Sequence, residues 1–245
     1  MRRFLLFFML IALSIGTLYA QRRNPFPNEL HVGFGGGATM SSVDFQQPSV
    51  LASYRFGNQF GISIKHISDG HHTVPVRAGI IAELNFSQQG WQEVFDQEER
   101  PGFAYSRTLN YVTLPFMTHI NWGRGNVVRF FFNAGPQIGL LLGDSYTMSE
   151  ALADHLDEVL SQRPPGFPYG MQYRPSSDLK RFDYGIIAGT GLQILTGRSG
   201  HINVEGRFYF GLGDIFESRR SREALFGRSA NMVFGARITY YRRIF

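Results

Sequence analysis

The sequence predicts an all-β protein, an eight-stranded antiparallel up-and-down transmembrane β-barrel with a short helix in the long loop between strands 5 and 6. Eight segments of roughly ten residues each alternate apolar and polar side chains, which is the pattern of strands. The connections between them alternate between short and long. The 245 residues include 28 glycines, and 15% are aromatic, a pairing that is typical of β-barrels. No cysteine is present, which excludes a disulfide framework, cysteine-ligated zinc and a thiol nucleophile.

The N-terminus has the pattern of a signal peptide. Arg2 and Arg3 precede an apolar run that begins at Phe4 and ends at a small residue, Ala20. We therefore expect residues 1–20 to be a signal peptide and residues 21–245 to form the barrel domain. The alternative, a retained anchor, is disfavoured because the run is short for a spanning helix. Cleavage lowers the net charge from +5 to +3, because two of the 24 basic residues leave and all 19 acidic residues remain. That excess is too small to predict nucleic-acid binding.

The eight alternating segments define the strands and their connections. Short turns join segments 2 and 3, 4 and 5, and 6 and 7, and longer loops join the others, as in outer-membrane barrels. A soluble eight-stranded barrel or sandwich, with the apolar face inward, is the alternative. The apolar alternations begin at Leu30, Phe60, Val76, Val112, Val128, Phe182, Ile202 and Met232.

The size of the side chains on each face decides between the transmembrane barrel and the soluble alternative. The polar face is rich in glycine, which suits the crowded interior of a narrow barrel, whereas the apolar face carries many phenylalanines. We therefore expect the phenylalanine face to contact lipid. Trp122 and Tyr240 at the short-turn end, and Trp91 and Tyr105 at the long-loop end, are predicted to lie at the membrane interfaces.

Two prolines fall within predicted strands. Pro115 and Pro136 each remove a backbone donor, so a bulge or a local kink is expected beside them.

Charged residues of both signs are predicted on the inward face. They would neutralise one another in a hydrogen-bonded network, since isolated buried charges are costly. Such a network is either a structural plug or a path for protons or small solutes. The predicted lumen charges are Lys65, Arg77, Glu83, Arg129, Asp183, Glu205, Arg207 and Arg237.

The loop between segments 5 and 6 contains the helix. Thr147 and Glu150 have capping-box spacing, and residues 164–166, Pro-Pro-Gly, end the helix. The apolar face packs on the barrel rim as a lid, or it docks a partner protein. That face consists of Leu152, Leu156, Val159 and Leu160.

Arginines are clustered in the loop between segments 7 and 8. Arg219, Arg220 and Arg222 are predicted to contact lipid A phosphates through their forked donors, or else to be simply solvated.

No enzymatic activity, cofactor or metal is expected. Thr118 and His119 lie near the short-turn end, on the wrong leaflet for lipid A chemistry. His71 and His72 are adjacent in a turn, which is poor ligand geometry. The glycine run at residues 33–37 precedes no helix, so it is not a dinucleotide-binding fingerprint.

Three segments carry a family resemblance: residues 83–91 (ELNFSQQGW), 106–116 (SRTLNYVTLPF) and 132–141 (FNAGPQIGLL). On the basis of these segments, the mature chain resembles the PorT-like outer-membrane β-barrel family of Bacteroidetes. The resemblance implies a non-catalytic outer-membrane component of the type IX secretion and gliding machinery. It also implies contacts with outer-membrane lipid, lipopolysaccharide and other secretion-machinery proteins. Thr113 stands where family members commonly have glutamate. The alternatives are a small pore or a surface ligand-binding barrel and, less favoured, a lipid A-modifying enzyme.

Overall fold

The computed structural model describes residues 28–45, 51–68, 76–123, 127–162, 173, 179–196, 200–216 and 228–244. Within them the chain forms antiparallel strands and one α-helix. The strands are β1 (Glu29–Phe45), β2 (Ala52–Ser53), β3 (Arg55–Ser68), β4 (Val76–Glu93), β5 (Tyr105–Trp122), β6 (Val128–Met148), β7 (Phe182–Leu195), β8 (Gly200–Gly211) and β9 (Ser229–Arg243), and the helix is α1 (Glu150–Ser161).

Eight long strands close into a ring. Each pairs with the next long strand along the chain, and β1 closes the ring by pairing with β9 as well as with β3. The two-residue β2 lies outside the ring order and pairs only with the end of β4. The predicted segments 1 to 8 are therefore β1 and β3 to β9, which confirms the eight-stranded up-and-down barrel.

The wall of the barrel is higher on one side. A tilted strand needs about 9–11 residues to cross a bilayer. β8 has 12 residues and slightly exceeds that length, whereas β4, β5 and β6 have 18, 18 and 21. Their additional residues rise at the long-loop end, where α1 follows β6.

The two faces of the wall are as the side-chain sizes predicted. Phe34, Phe56 and Phe60 are exposed on the outside, whereas Lys65, Glu83 and Arg237 are buried inside. Trp122 and Tyr240 are also exposed on the outside, at the short-turn end. The barrel is therefore apolar outside and polar inside, the reverse of a soluble barrel.

The glycines of the inner face make room for large inward side chains. A Cβ added at Gly33 would stand 2.6 Å from the Tyr241 ring and 2.8 Å from Ser63 Oγ, closer than atoms pack. The ring of Tyr241 thus occupies the space that a side chain at position 33 would need, and the glycine-rich β1 is compatible with a packed interior.

The expected bulge at the prolines is absent. Around Pro115 the pairing of β4 with β5 passes from Ala82↔Phe116 to Asn85↔Thr113 without a change of register, and only the pairs between them are missing. Pro136 stays in register with Ile186. The barrel thus accommodates the lost donor of Pro115 by an interruption of the ladder. The register shift of β5 with β6 lies instead at Asn110 and Tyr111.

The long-loop end of the barrel is closed by buried apolar side chains, which we call the mouth cluster. Trp91 and Tyr105 belong to it, with exposed fractions of 0% and 3%, so their predicted place at the membrane interface was wrong. Both side chains point inward at the long-loop end of their strands, and alternation alone does not separate a place inside the mouth from one at the membrane interface. The cluster comprises Val43, Phe45, Trp91, Phe95, Tyr105, Leu109, Tyr111, Leu141, Leu152, Leu156, Leu179, Ile215 and Phe216.

The helix lies in the predicted loop but begins later than its capping box indicated. β6 runs through Thr147 to Met148, so Thr147 is a strand residue and the helix starts at Glu150. Ser149 precedes it, and its carbonyl accepts the first helical hydrogen bond from Ala153 N at 3.0 Å. Ser149 Oγ instead accepts from the backbone N of Ala104 at 3.0 Å, which ties the start of α1 to β5. None of the helical segments in the described part of the chain has the length and apolar character needed to cross a membrane.

Candidate functional site: the charged lumen

A bidentate ion pair crosses the full width of the barrel. Arg207 on β8 donates from Nη1 to Glu83 Oε2 at 2.7 Å and from Nη2 to Glu83 Oε1 at 2.8 Å. Glu83 lies on β4, four strands away from β8 in either direction around the ring of eight. The pair therefore joins diametrically opposite walls. Forked geometry between a guanidinium and a carboxylate is among the strongest charge-assisted arrangements.

A second acid extends the network toward β5. Arg207 Nη2 also donates to Glu205 Oε2 at 2.6 Å, and Asn133 Nδ2 donates to Glu205 Oε1 at 2.7 Å. Asn133 Oδ1 lies 2.6 Å from His119 Nδ1, and His119 Nε2 lies 3.3 Å from Asn121 Nδ2. This pattern assigns the His119 proton to Nδ1 and makes Nε2 the acceptor.

Arg237 on β9 completes the charge balance. It donates from Nη1 to Asn85 Oδ1 at 2.7 Å and from Nε to Thr239 Oγ1 at 3.0 Å. Its Nη1 stands 3.9 Å from Glu83 Oε2, and Asn85 Nδ2 donates to the same oxygen at 2.8 Å. Two acidic and two basic side chains thus meet in one layer, which we call the central network: Glu83, Glu205, Arg207 and Arg237.

Little space remains beside the central network. A cavity of about 30 Å³, lined in part by Gln59, Asn85, Arg207 and Tyr209, adjoins it. One water needs about 10–15 Å³ of such space, so the cavity has room for about two waters at most.

Glycine is required where the network touches the wall. A Cβ at Gly189 would collide with Glu205 Oε1, and it would stand 3.1 Å from Arg207 Cγ. The glycines of β7 therefore let the long side chains of β8 lie flat against the sheet.

The other predicted lumen charges lie outside the central network. Asp183 accepts from Tyr209 Oη and from Asn231 Nδ2, each at 3.0 Å, nearer the long-loop end. Lys65 is fully buried toward the short-turn end, where its Nζ contacts His201 Nε2 and lies 4.0 Å from the centre of the Tyr241 ring.

Arg77 and Arg129 are at the short-turn rim. Arg77 Nη1 stands 3.5 Å from Glu29 Oε1, and Arg129 lines the same open cavity as Arg77. Both residues occupy the last inward positions of their strands at this end, so they lie at the rim and not in the layer of the central network.

One buried ion pair was missed from the sequence. Arg107 Nε donates to Asp144 Oδ2 at 2.8 Å, and both side chains are almost fully buried under the mouth cluster. Strict alternation on β6 would place Asp144 outside. The register shift reverses the alternation, since Asn110 pairs with Gly143 and Tyr111 with Leu141, so that Leu142 is the additional residue.

The apolar face of α1 is covered by the barrel. Leu152 and Leu156 are buried in the mouth cluster, and Val159 is half-buried. The helix therefore closes the mouth as a lid, and in this structure Leu152 and Leu156 are not available to dock a partner. The side chain of Leu160, the arginines Arg219, Arg220 and Arg222, and the predicted signal peptide lie outside the described residues.

The described residues contain no group of three or more histidine, cysteine, aspartate or glutamate side chains placed to hold a metal ion. The two carboxylates of the central network are occupied by guanidinium groups, and both ring nitrogens of His119 are hydrogen-bonded.

Comparison with known proteins supports the fold. A family model described as the outer membrane protein beta-barrel domain matches residues 19–217. The match ends before β9, the strand that closes the ring. No curated protein matches the chain.

Several solved outer-membrane proteins are similar in structure at very low sequence identity. The attachment invasion locus protein Ail of Yersinia pestis has a TM-score of 0.37 and 12% identity, over 87% of this chain and 99% of that one. OprG from Pseudomonas aeruginosa has a TM-score of 0.43 and 8% identity, over 88% and 96%. Neisserial surface protein A has a TM-score of 0.36 and 9% identity, over 86% and 95%.

Proposed function

We propose a function from the premise that the chain belongs to the outer membrane protein beta-barrel domain family. The protein lies in the outer membrane, and its apolar outer face contacts the lipid. There it serves as a non-catalytic component of the export machinery of the cell envelope, and the lumen of its barrel is closed. The observation that carries this proposal is the ion pair between Glu83 and Arg207 across the whole lumen.

The closed lumen argues against a pore. The central network has equal numbers of acidic and basic side chains, and its hydrogen bonds connect β4, β5, β6, β8 and β9. An ion on its way through would have to separate a desolvated bidentate pair, which is strongly unfavourable. The mouth cluster and α1 add a second closure at the long-loop end. A barrel with a closed lumen cannot act by passing a solute, so we expect it to act through the contacts that its surface makes with other molecules.

The arrangement also favours a non-catalytic role. A general base needs an unoccupied lone pair near a substrate site. The carboxylate oxygens of Glu83 and Glu205 already accept hydrogen bonds from Arg207 and from the side-chain amides of Asn85 and Asn133. This arrangement does not favour either carboxylate as a base.

The specific proposal is a component of type IX secretion, and it rests on the family resemblance. The three segments that carry it, residues 83–91, 106–116 and 132–141, lie on the adjacent strands β4, β5 and β6. Because these strands are neighbours, the segments form one continuous part of the barrel wall. The same three strands are the longest in the barrel and make up the high side of the wall. Such a wall supports contact with other proteins of the machinery, while Arg219, Arg220 and Arg222 are proposed to contact lipopolysaccharide phosphates.

Conductance in planar lipid bilayers tests the closed lumen. We expect the purified wild-type protein to insert without stable channels, because the central network blocks the lumen. Because the mouth cluster also closes the long-loop end, Arg207→Gly with Glu83→Gly is combined with Leu152→Ala and Leu156→Ala, and this variant should produce measurable conductance. Asp157→Asn, which removes a charge on the exposed face of α1, should remain silent. Stable large channels from the wild-type protein would refute the plug and favour the pore.

Gene deletion with complementation tests the secretion role. We expect the deletion strain to retain secreted cargo in the periplasm and the wild-type gene to restore export. The same strains separate the alternatives, since a lipid A-modifying enzyme would change the mass of lipid A while export stayed normal. Normal export together with unchanged lipid A in the deletion strain would contradict a role in secretion.

A further inference from the structure

The upper part of β6 has a neighbouring strand on one side only. Its pairing with β7 ends at Leu140, opposite Phe182, whereas its pairing with β5 continues to the last residue of β6. The chain that leads into β7 pairs instead with the segment after β8, where Lys180 N donates to Ile215 O at 2.7 Å. Residues 142–148, which we call the β6 edge, therefore have no described strand on their second side.

Backbone groups along the β6 edge are without partners. Ser149 N donates to Ala104 O at 3.0 Å, so Ser149 directs its backbone groups toward β5. Alternate residues of a strand direct these groups to opposite sides, so Asp144, Tyr146 and Met148 direct theirs away from β5. No described backbone group hydrogen-bonds to them on that side. Such a row of unpaired N–H and C=O groups is a template for another strand.

The sequence of the β6 edge does not block pairing with another strand. Natural edges are commonly blocked by lysine, by proline or by being very short. The edge has the sequence Leu-Gly-Asp-Ser-Tyr-Thr-Met, and β6, with 21 residues, is the longest described strand. Its one charged side chain, Asp144, is buried and paired with Arg107. The bulge at Leu142 lies at the base of the edge, and residues 143–148 continue in register with β5.

The β6 edge lies beyond the part of the strand that crosses the bilayer. The residues of β6 from Val128 to Leu140 already exceed the about 9–11 that a tilted strand needs to cross. After them, the outward positions change from apolar residues to Ser145 and Thr147. The long-loop end of outer-membrane barrels is extracellular, so the edge is accessible from outside the cell.

A second copy of this chain in the same membrane does not fit the β6 edge. Two copies inserted in the same direction are related by an axis along the membrane normal. The strands of such barrels are tilted by about 35–45°, so two β6 edges would cross at about 70–90° instead of lying side by side. An extended segment of a different protein has no such constraint.

We propose that the β6 edge binds an extended segment of another protein at the cell surface, which adds to the barrel wall as one further β-strand. Tyr146 stacks on Tyr105 with a ring-centre distance of 6.2 Å and is still 56% exposed, so apolar or aromatic side chains of the segment pack beside it. Polar side chains of the segment lie on the outer face, beside Ser145 and Thr147. The inference rests on the proposed function, because it names the surface through which the barrel holds a protein of the secretion machinery.

Hydrogen–deuterium exchange of the full-length protein tests this pairing. Mass spectrometry follows the peptide that contains residues 142–148 in two preparations: outer membranes isolated from the native cells, and lipid vesicles that contain the purified protein alone. We expect about three amides, those of Asp144, Tyr146 and Met148, to be protected in the native membranes and to exchange freely in the vesicles, because only the added strand accepts their hydrogen bonds.

A proline on the free side separates backbone pairing from side-chain contact. Tyr146→Pro removes an N–H that is directed away from β5, so the ladder between β5 and β6 is kept while strand addition is blocked. We expect this variant to lose the protection in native membranes. Tyr146→Ala, the matched control, keeps the N–H and should retain most of the protection. Circular dichroism establishes that both variants keep the barrel.

Three results would overturn the proposal. The first is equal exchange in native membranes and in vesicles, and the second is protection that Tyr146→Pro leaves unchanged. The third is protection in vesicles of this protein alone, which would mean that the chain itself or a second copy occupies the edge. The export assay of the deletion strain is read separately. Impaired export without protection contradicts the β6 edge only, and protection with normal export contradicts the secretion role only.

Discussion

Glu83 and Arg207 are the residues on which the packing of the lumen depends most. Their two hydrogen bonds lie in a desolvated layer, and Glu205 and Arg237 complete the charge balance around them. Removing one member of a buried pair leaves the other charge uncompensated, whereas removing both leaves the layer neutral. The two kinds of variant should therefore differ in stability.

Arg207→Ala should lower the free energy of unfolding by about 3–5 kcal/mol, because Glu83 and Glu205 are then left buried without their guanidinium partner. The double variant Arg207→Met with Glu83→Leu should lose markedly less. Urea unfolding in lipid vesicles, followed by tryptophan emission, measures both. Asp157→Asn, on the exposed face of α1, is the control, with an expected change within about 0.5 kcal/mol. Equal losses in the single and double variants would mean that charge pairing contributes nothing.

At this scale the sequence predicted which face each charge is on but not which charges meet. Alternation placed Glu83, Glu205, Arg207 and Arg237 inside, and they meet because the ring brings β4 opposite β8. Lys65, Asp183 and Arg129 share the same face, yet they lie at other heights along the barrel. The height of a residue along the barrel depends on how the neighbouring strands are staggered, and the sequence of one strand does not determine that stagger. Arg107 and Asp144 were missed because one additional residue, Leu142, reverses the alternation of β6.

At the scale of elements, α1 is the part whose role the structure decides. Its acidic residues, Glu150, Asp154, Asp157 and Glu158, are exposed, and Leu152 and Leu156 are buried in the mouth cluster. The amphipathic pattern predicted a helix with one apolar face, but it was equally compatible with a lid and with a docking helix. Only the position of the barrel rim, set by the long β4, β5 and β6, decides between them.

Leu152→Ala with Leu156→Ala should loosen the lid, since each buried leucine truncated to alanine costs about 2–5 kcal/mol of local packing. The expected result is faster proteolytic cleavage in the loop that contains α1, while the barrel itself stays intact. Limited proteolysis in lipid vesicles measures this, with Asp157→Ala on the exposed face as the control. Equal cleavage of the leucine variant and the wild-type protein would show that the lid does not depend on these contacts.

At the scale of the whole molecule, the barrel has its small and charged residues inside and its large aromatic residues outside. This orientation was predictable, because a face rich in phenylalanine does not fit into the lumen of eight strands whereas a face rich in glycine does. The same reasoning failed for Trp91 and Tyr105. At the long-loop end the barrel is capped rather than hollow, and there its interior is filled by large aromatic rings.

The two tryptophans allow the most direct test of this orientation. Trp91 is 0% exposed in the mouth cluster, and Trp122 is 40% exposed on the outer face. In vesicles of brominated lipid, the Trp91→Phe variant, which keeps Trp122, should lose much of its fluorescence to bromine quenching. The Trp122→Phe variant, which keeps Trp91, should be quenched little. Strong quenching of Trp91 with none of Trp122 would contradict a barrel whose apolar face is turned to the lipid.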